Sequence, residues 1–287
     1  MKAFDRRLVP ARPDLAAEHL RGTVTADRYA VGETLRVVAD ATPMRPEPRA
    51  DRSIDTELLF GETVTIYDRT PEGWVWGQAG TDEYVGWLPA DALGPFAPEP
   101  THRVAVLRTY RYPMAELKLP PRGLISMGSR VTVVSTQTVR DLEYAILPDG
   151  SAVAAKHLVP LDHKADDWVA VAESFVGTPY RWGGRTSFGL DCSALVQLAA
   201  AEAGIAAPRD SDMQEAGFGD QLDISAGLPS LQRGDLVFWK GHVGIMLDDT
   251  RLLHASGFFM AVAIEPLDDA VTRIAASGSP VTAVRRL

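Results

Sequence analysis

From Glu33 onward, apolar and polar residues alternate in short runs broken by turn residues: Leu35 to Val38, Glu62 to Tyr67, Trp74 to Gln78 and Tyr84 to Leu88. A period of two sends every second side chain to one face, and several such runs at regular spacing predict a small barrel. A proline-rich loop over 43–48 interrupts the runs, and 94–100 reads as a linker. The plan then repeats. Gly61-Glu62-Thr63-Val64-Thr65-Ile66 returns 67 residues later as Gly128-Ser129-Arg130-Val131-Thr132-Val133, again ahead of two further strand-like runs. An internal repeat of this kind predicts two copies of one unit. The sequence therefore divides into an arm over 1–32, a first barrel over 33–95 and a second over 101–160. Within the arm, Asp14 is placed to cap a short helix running to Leu20.

The periodicity changes after residue 160. Val169 to Val176 follows Asp166-Asp167-Trp168 as a helix stopped by Gly177, and Ala194 to Ala203 forms a second helix closed by Gly204. Gly234 to Leu247 and Arg251 to Ser256 then read as strand, turn and strand. The class is α+β, with two small barrels ahead of a mixed domain over 165–287.

Composition is that of an ordinary globular chain: 46% hydrophobic and 23% charged residues in 287. A formal charge of −9 argues against nucleic acid and anionic surfaces as partners. The first residues carry basic side chains but no apolar stretch of signal or membrane-spanning length follows. A single cysteine forms no internal disulfide, and a working thiol survives best in a reducing space, so the expected compartment is the cytoplasm.

That cysteine, Cys192, follows a glycine-rich aromatic loop from Pro179 to Leu190 and falls in the first turn of the helix. Unpaired N–H groups and the positive end of the dipole favour a thiolate there. A lone cysteine is otherwise a small buried hydrophobe, and the two histidines downstream change the balance. If the turn between the strands is the three residues Asp248 to Thr250, Leu247 opposes Arg251 and Gly244 opposes His254. His242 then shares a face with His254 as a diagonal pair, and cysteine, base and orienting group stand in order. A two-residue turn would separate them. Zinc held by the same three groups lacks the local ligand pairs such sites use, so neither metal nor cofactor is expected.

Tyr180 to Ser193, then Arg233-Gly234-Asp235-Leu236, Gly241-His242-Val243-Gly244-Ile245 and Leu253-His254-Ala255, together resemble the NlpC/P60 family of papain-like cysteine peptidases. The resemblance covers 165–287. It implies Cys192 as nucleophile, His242 as base, His254 as the orienting member, and the Tyr180 hydroxyl beside the backbone N–H of Cys192 as oxyanion donors. It also implies hydrolysis of γ-D-glutamyl-diamino acid bonds in murein-derived peptides, here small fragments with a free N-terminal L-alanine met in cell-wall recycling. Asp191 and Ser193 are then substrate-binding residues or helix caps, and Ser211 lines the groove or opens a helix. The barrels resemble bacterial SH3-like domains, in which Tyr84 and Glu62 are placed to hold the substrate's amino end; Tyr84 and Trp87 equally suit a barrel core. A related thiol acyltransferase or amidase, and a non-catalytic peptide-binding scaffold, are the alternatives.

Overall fold

The repeat is the organising feature of the N-terminal part of the chain. The computed structural model describes residues 4–96 and 98–287, in two units, Met1–Leu161 and Asp162–Leu287. In the first copy, Glu33–Val37, Thr63–Arg69, Trp74–Ala79, Val85–Pro89 and Leu93–Pro95 form a five-stranded antiparallel sheet, and Ala41–Met44 pairs with Thr56–Leu59. The second copy follows the same order from His102–Val104 to Leu158–Pro160 in three smaller sheets. Each copy ends alike, with a 3-10 turn (Ala90–Ala92, Ala155–His157) leading into the closing strand. Gly61 and Gly128 occupy the same place in the two copies with φ of +80° and +84°, a backbone conformation that side chains resist.

Four expectations are corrected. Among its described residues the arm holds no α-helix, only the 3-10 turn Glu18–Leu20: Leu15–Ala17 pairs in parallel with Arg28–Ala30, because all three residues are wholly buried and must find a partner for their backbone. The Asp14 carboxylate goes to Arg12 instead of capping a helix, and the Arg12 guanidinium lies 4.5 Å and 4.9 Å over the rings of Trp76 and Trp87. The proline-rich loop begins with Pro43 inside a strand, opposite Glu57. The linker likewise begins inside the closing strand, where Pro95 pairs with Leu35; Ala97 of that linker, and the first three residues of the arm, lie outside the described residues.

Tyr84 packs into the first barrel's core with Val37, Met44, Leu58, Val64, Val75 and Leu88, so its ring fills a core and is not an exposed edge. Glu62 is buried, and both its oxygens serve the barrel: Oε2 accepts from Leu59 N–H at 2.8 Å and Oε1 from the Thr81 hydroxyl at 3.0 Å. Glu62→Ala therefore leaves a buried N–H and a hydroxyl unsatisfied. It should cost about 1–3 kcal/mol in urea denaturation; a loss within error of zero would return Glu62 to a surface role.

The second unit is built on a six-stranded antiparallel sheet in the order Asp220–Leu222, Val281–Arg286, Leu236–Trp239, His242–Met246, Arg251–Ser256, Ala261–Pro266. Gly234 to Leu247 is thus two strands and not one, because Gly241, at φ +74°, closes a two-residue turn that sets Trp239 opposite His242. Four helices accompany the sheet: α1 (Trp168–Glu173), α2 (Cys192–Glu202), α3 (Ser211–Gly217) and α4 (Leu267–Ala276). Helix α2 is buried along almost its whole length, so it has no solvent face and shows no amphipathic stripe. It packs on the strands His242–Met246 and Arg251–Ser256, while α4 covers Arg251–Ser256 and Ala261–Pro266. Val237, Trp239, Met246, Leu252, Leu267 and Val284 form the core beneath α4.

Candidate active site

Cys192 opens α2, and its position is fixed by Asp191, the residue before it. The Asp191 carboxylate caps the helix by accepting from Ala194 N–H at 2.9 Å. It also accepts Gly183 N–H at 3.0 Å, which draws the aromatic loop against the helix start. Arg209, 1% exposed, completes the arrangement with two bonds to that carboxylate, at 3.0 and 2.8 Å, and a third at 3.0 Å to the Ser193 hydroxyl. Gln214 of α3 donates to the Ser193 carbonyl at 3.0 Å.

The histidines meet as the three-residue turn requires. Ile245 opposes Leu253 and Met246 opposes Leu252, and His242 Nε2 lies 2.8 Å from His254 Nδ1. Nδ1 of His242 is therefore the nitrogen left to exchange a proton with another group. Val243, the next residue, directs its backbone N–H to the Cys192 sulfur, which places the cysteine beside the start of the His242 strand. Tyr180 is tied by its N–H to the Met260 carbonyl at 2.9 Å and bridges Leu190. Burial, and then the charges that Cys192 and Asp191 would carry, push its phenol pKa up, so the hydroxyl remains a donor.

The surroundings of Cys192 act against a ready thiolate. Burial, and then the Asp191 carboxylate, push the Cys192 thiol up to about 12, against the opposing pull of the Val243 and Ser193 N–H groups and Arg209. The positive helix end is present, but the carboxylate that caps it sits beside the sulfur and cancels its benefit. Burial lowers both histidines, His242 to about 3 and His254 to about 4. These shifts favour a neutral thiol and a neutral imidazole pair at neutral pH. The group can move a proton from sulfur to His242 when an electrophile arrives, without holding an ion pair beforehand.

Sequence-predicted residues fall into three groups. Cys192, His242, His254, Tyr180, Asp191 and Ser193 converge around the start of α2. Ser211 stands at the first position of α3 and is partly exposed. Tyr84 and Glu62 belong to the other unit, with the roles in the barrel described above. Sequence reading missed Arg209 and Gln214 as the supports of Asp191 and Ser193, and missed Glu265 and Arg273 behind His254. Glu265 Oε1 is 2.8 Å from His254 Nε2, and Arg273 grips Glu265 with two bonds of 2.6 Å. No local pattern marks these pairs, since partners such as Asp191 and Arg209 are joined only by the fold.

Residues 177–274 match the model of the NlpC/P60 family. The chain carries an NlpC/P60 peptidase domain. Cys192, His242 and His254 all fall within the matched stretch, and the chain is a cysteine peptidase. Residues 44–93 match a second model, the bacterial dipeptidyl-peptidase Sh3 domain. A gamma-D-glutamyl-L-lysine dipeptidyl-peptidase of Bacillus cereus is 29% identical over 249 residues, 75% of this chain and 71% of that protein. Its namesake in Bacillus subtilis is 27% identical over 250 residues, 77% and 78% of the two chains. Dipeptidyl-peptidase 6 of Lysinibacillus sphaericus is 36% identical over 119 residues, and the chain spans 42% of its length. The crystal structure of an NlpC/P60 family protein from Bacillus cereus superposes with a TM-score of 0.71 over 88% of this chain and 99% of that one, at 22% identity. That likeness establishes the fold: a papain-like NlpC/P60 domain with an SH3-like domain ahead of it.

Proposed function

We propose that the NlpC/P60 domain hydrolyses the γ-D-glutamyl-diamino acid bond of peptidoglycan-derived peptides, acting on small fragments with a free N-terminal L-alanine. The observation that carries the catalytic part is that Cys192, at the start of α2, takes the Val243 N–H on its sulfur next to His242, whose ring lies 2.8 Å from that of His254. Relatives named gamma-D-glutamyl-L-lysine dipeptidyl-peptidases support the substrate class. An enzyme that releases dipeptides must register a free amino end, and this supports the preference for short fragments. Recycling in the cytoplasm fits a chain whose single cysteine works as a free thiol.

In this reading, the Cys192 sulfur attacks the scissile carbonyl as its proton passes to His242, forming the sulfur–carbon bond and an oxyanion. The backbone N–H of Cys192 and the Tyr180 hydroxyl donate to that oxyanion. His242 returns the proton to the leaving amine as the carbon–nitrogen bond breaks. A water then gives a proton to His242 and attacks the thioester, and cleavage of the carbon–sulfur bond frees the acid and restores the thiol. His254 holds the His242 ring. Asp191 and Ser193, fixed by Arg209, shape the groove floor, and Ser211 supplies a hydroxyl at its edge.

The test is incubation with L-Ala-γ-D-Glu-meso-diaminopimelate and its N-acetylated counterpart, with products identified by mass spectrometry. Release of L-Ala-D-Glu from the free-amine peptide alone, abolished in Cys192→Ala, is the expected result. Cleavage of both peptides would overturn the free-amine preference, and cleavage of neither would overturn the substrate assignment.

A further inference from the structure

The line of polar side chains does not stop at His254. Across three adjacent strands, His242, His254 and Glu265 form a diagonal line. His254 is two positions from the residue that would oppose His242, and Glu265 is two positions from Ala263, which opposes His254. His254 Nε2 lies 2.8 Å from Glu265 Oε1, a contact of hydrogen-bond length that is not at hydrogen-bond angle in this structure. The His254 side chain is wholly buried and that of Glu265 is 6% exposed, so neither exchanges its partner for solvent. Arg273 closes the line from α4 with two 2.6 Å bonds to Glu265. The same guanidinium lies 4.4 Å over the ring of Phe258 in the turn whose Met260 carbonyl holds Tyr180.

We infer that Glu265 and Arg273 are positioning residues for the thiol–imidazole pair, Glu265 by fixing the tautomer of both histidines and Arg273 by neutralising and holding Glu265. This rests on the reading of His242 as the base. A carboxylate at Nε2 of His254 requires a proton on that nitrogen, which leaves Nδ1 as an acceptor. Nδ1 then accepts from His242 Nε2–H, and His242 Nδ1 is left without a proton, as a base must be. With the carboxylate alone, the line would carry a negative charge that holds the histidines protonated. The ion pair removes that charge and keeps the geometry.

The charged groups that act on the two rings are Glu265 on the neighbouring strand and Arg273 on α4, with Asp269 acting on Arg273, while the Cys192 sulfur meets the Val243 N–H next to His242. Their signs agree with this division of labour: Glu265 raises the His242 pKa, whereas Arg273 lowers those of both histidines.

The experiment is long-range nitrogen–proton NMR of the histidine rings in the full chain, as a function of pH, for the wild type, Glu265→Gln and Arg273→Gln. Both rings are expected as Nε2–H tautomers in the wild type. Glu265→Gln should turn His254 partly or wholly to Nδ1–H and lower the histidine titrations, with kcat falling about 10²-fold and KM little changed. Arg273→Gln should keep the tautomers and raise the titrations by about one pH unit. Retained tautomers in Glu265→Gln, or shifts of the same sign in both folded variants, would overturn the inference. If Glu265→Gln fails to fold, the Arg273→Gln titration decides: a rise supports the inference and no shift removes it. These readouts need no substrate, so failure of the proposed peptide specificity would show separately, as absent wild-type turnover.

Discussion

Arg209→Met is expected to be among the most destabilising single changes in the second unit, lowering unfolding free energy by about 3–5 kcal/mol. Arg209 is 1% exposed and its bonds at 3.0 and 2.8 Å are what make the Asp191 carboxylate tolerable in a buried site. Without it, an unpaired charge remains beside Cys192, at the start of a helix that has almost no exposed residues. Asp191→Asn in the same chain removes that charge while keeping a side chain able to cap the helix, and should recover much of the loss. Guanidinium denaturation of the single and double variants checks both statements. A loss below about 1 kcal/mol for Arg209→Met would mean that the pair is no stronger than a surface contact.

This pair also shows where sequence reading stops. The start of α2, the order of cysteine and histidines, and even the register joining His242 to His254 were legible, because each depends on local spacing: a cap, a run, a turn length. The repeat was legible for the same reason, since Gly61 and Gly128 mark one turn in two copies. Arg209 and Arg273 were not. They meet Asp191 and Glu265 by packing of α2, α3 and α4, which leaves no period in the chain. Tyr84 and Glu62 show a further limit. Sequence leaves Tyr84 open between a recognition group and a core residue, and the barrel interior decides for core; for Glu62 it shows a partner for backbone that no local pattern announces.

Alkylation of Cys192 by iodoacetamide should be slow at neutral pH and rise about tenfold per pH unit between pH 7 and 10, without a plateau. The reactive species is the thiolate, and a thiol pushed up to about 12 is almost wholly protonated over that range. The sign is set by burial and the Asp191 carboxylate, which both penalise negative charge on sulfur. At pH 7 the rate should be about 10³-fold below that of an ordinary exposed cysteine. With one cysteine in the chain, mass spectrometry of the intact protein reads the rate directly. A plateau near neutral pH would show instead that a thiolate–imidazolium pair forms before substrate arrives. The slow profile has a practical meaning for the chemistry: activation is deferred until a substrate carbonyl is in place, which protects the thiol from adventitious oxidants.

The strand carrying His242 is bounded by two short turns, Lys240-Gly241 on one side and Asp248 to Thr250 on the other. The second is locked by one carboxylate: Asp248 accepts from Thr250 N–H, the Thr250 hydroxyl, Arg251 N–H and the Arg251 guanidinium at 2.6–2.9 Å. Those bonds, the Thr250 N–H foremost, hold its carboxyl well below the usual carboxylate range. The register across this turn behaves as a parity check. A pairing shifted by one residue across the Asp248 to Thr250 turn would put His242 and His254 on opposite faces, whereas a shift of two keeps both on one face. The exposed residues that fix the pairing at this turn, Asp248 foremost, therefore carry a constraint that belongs to the buried site.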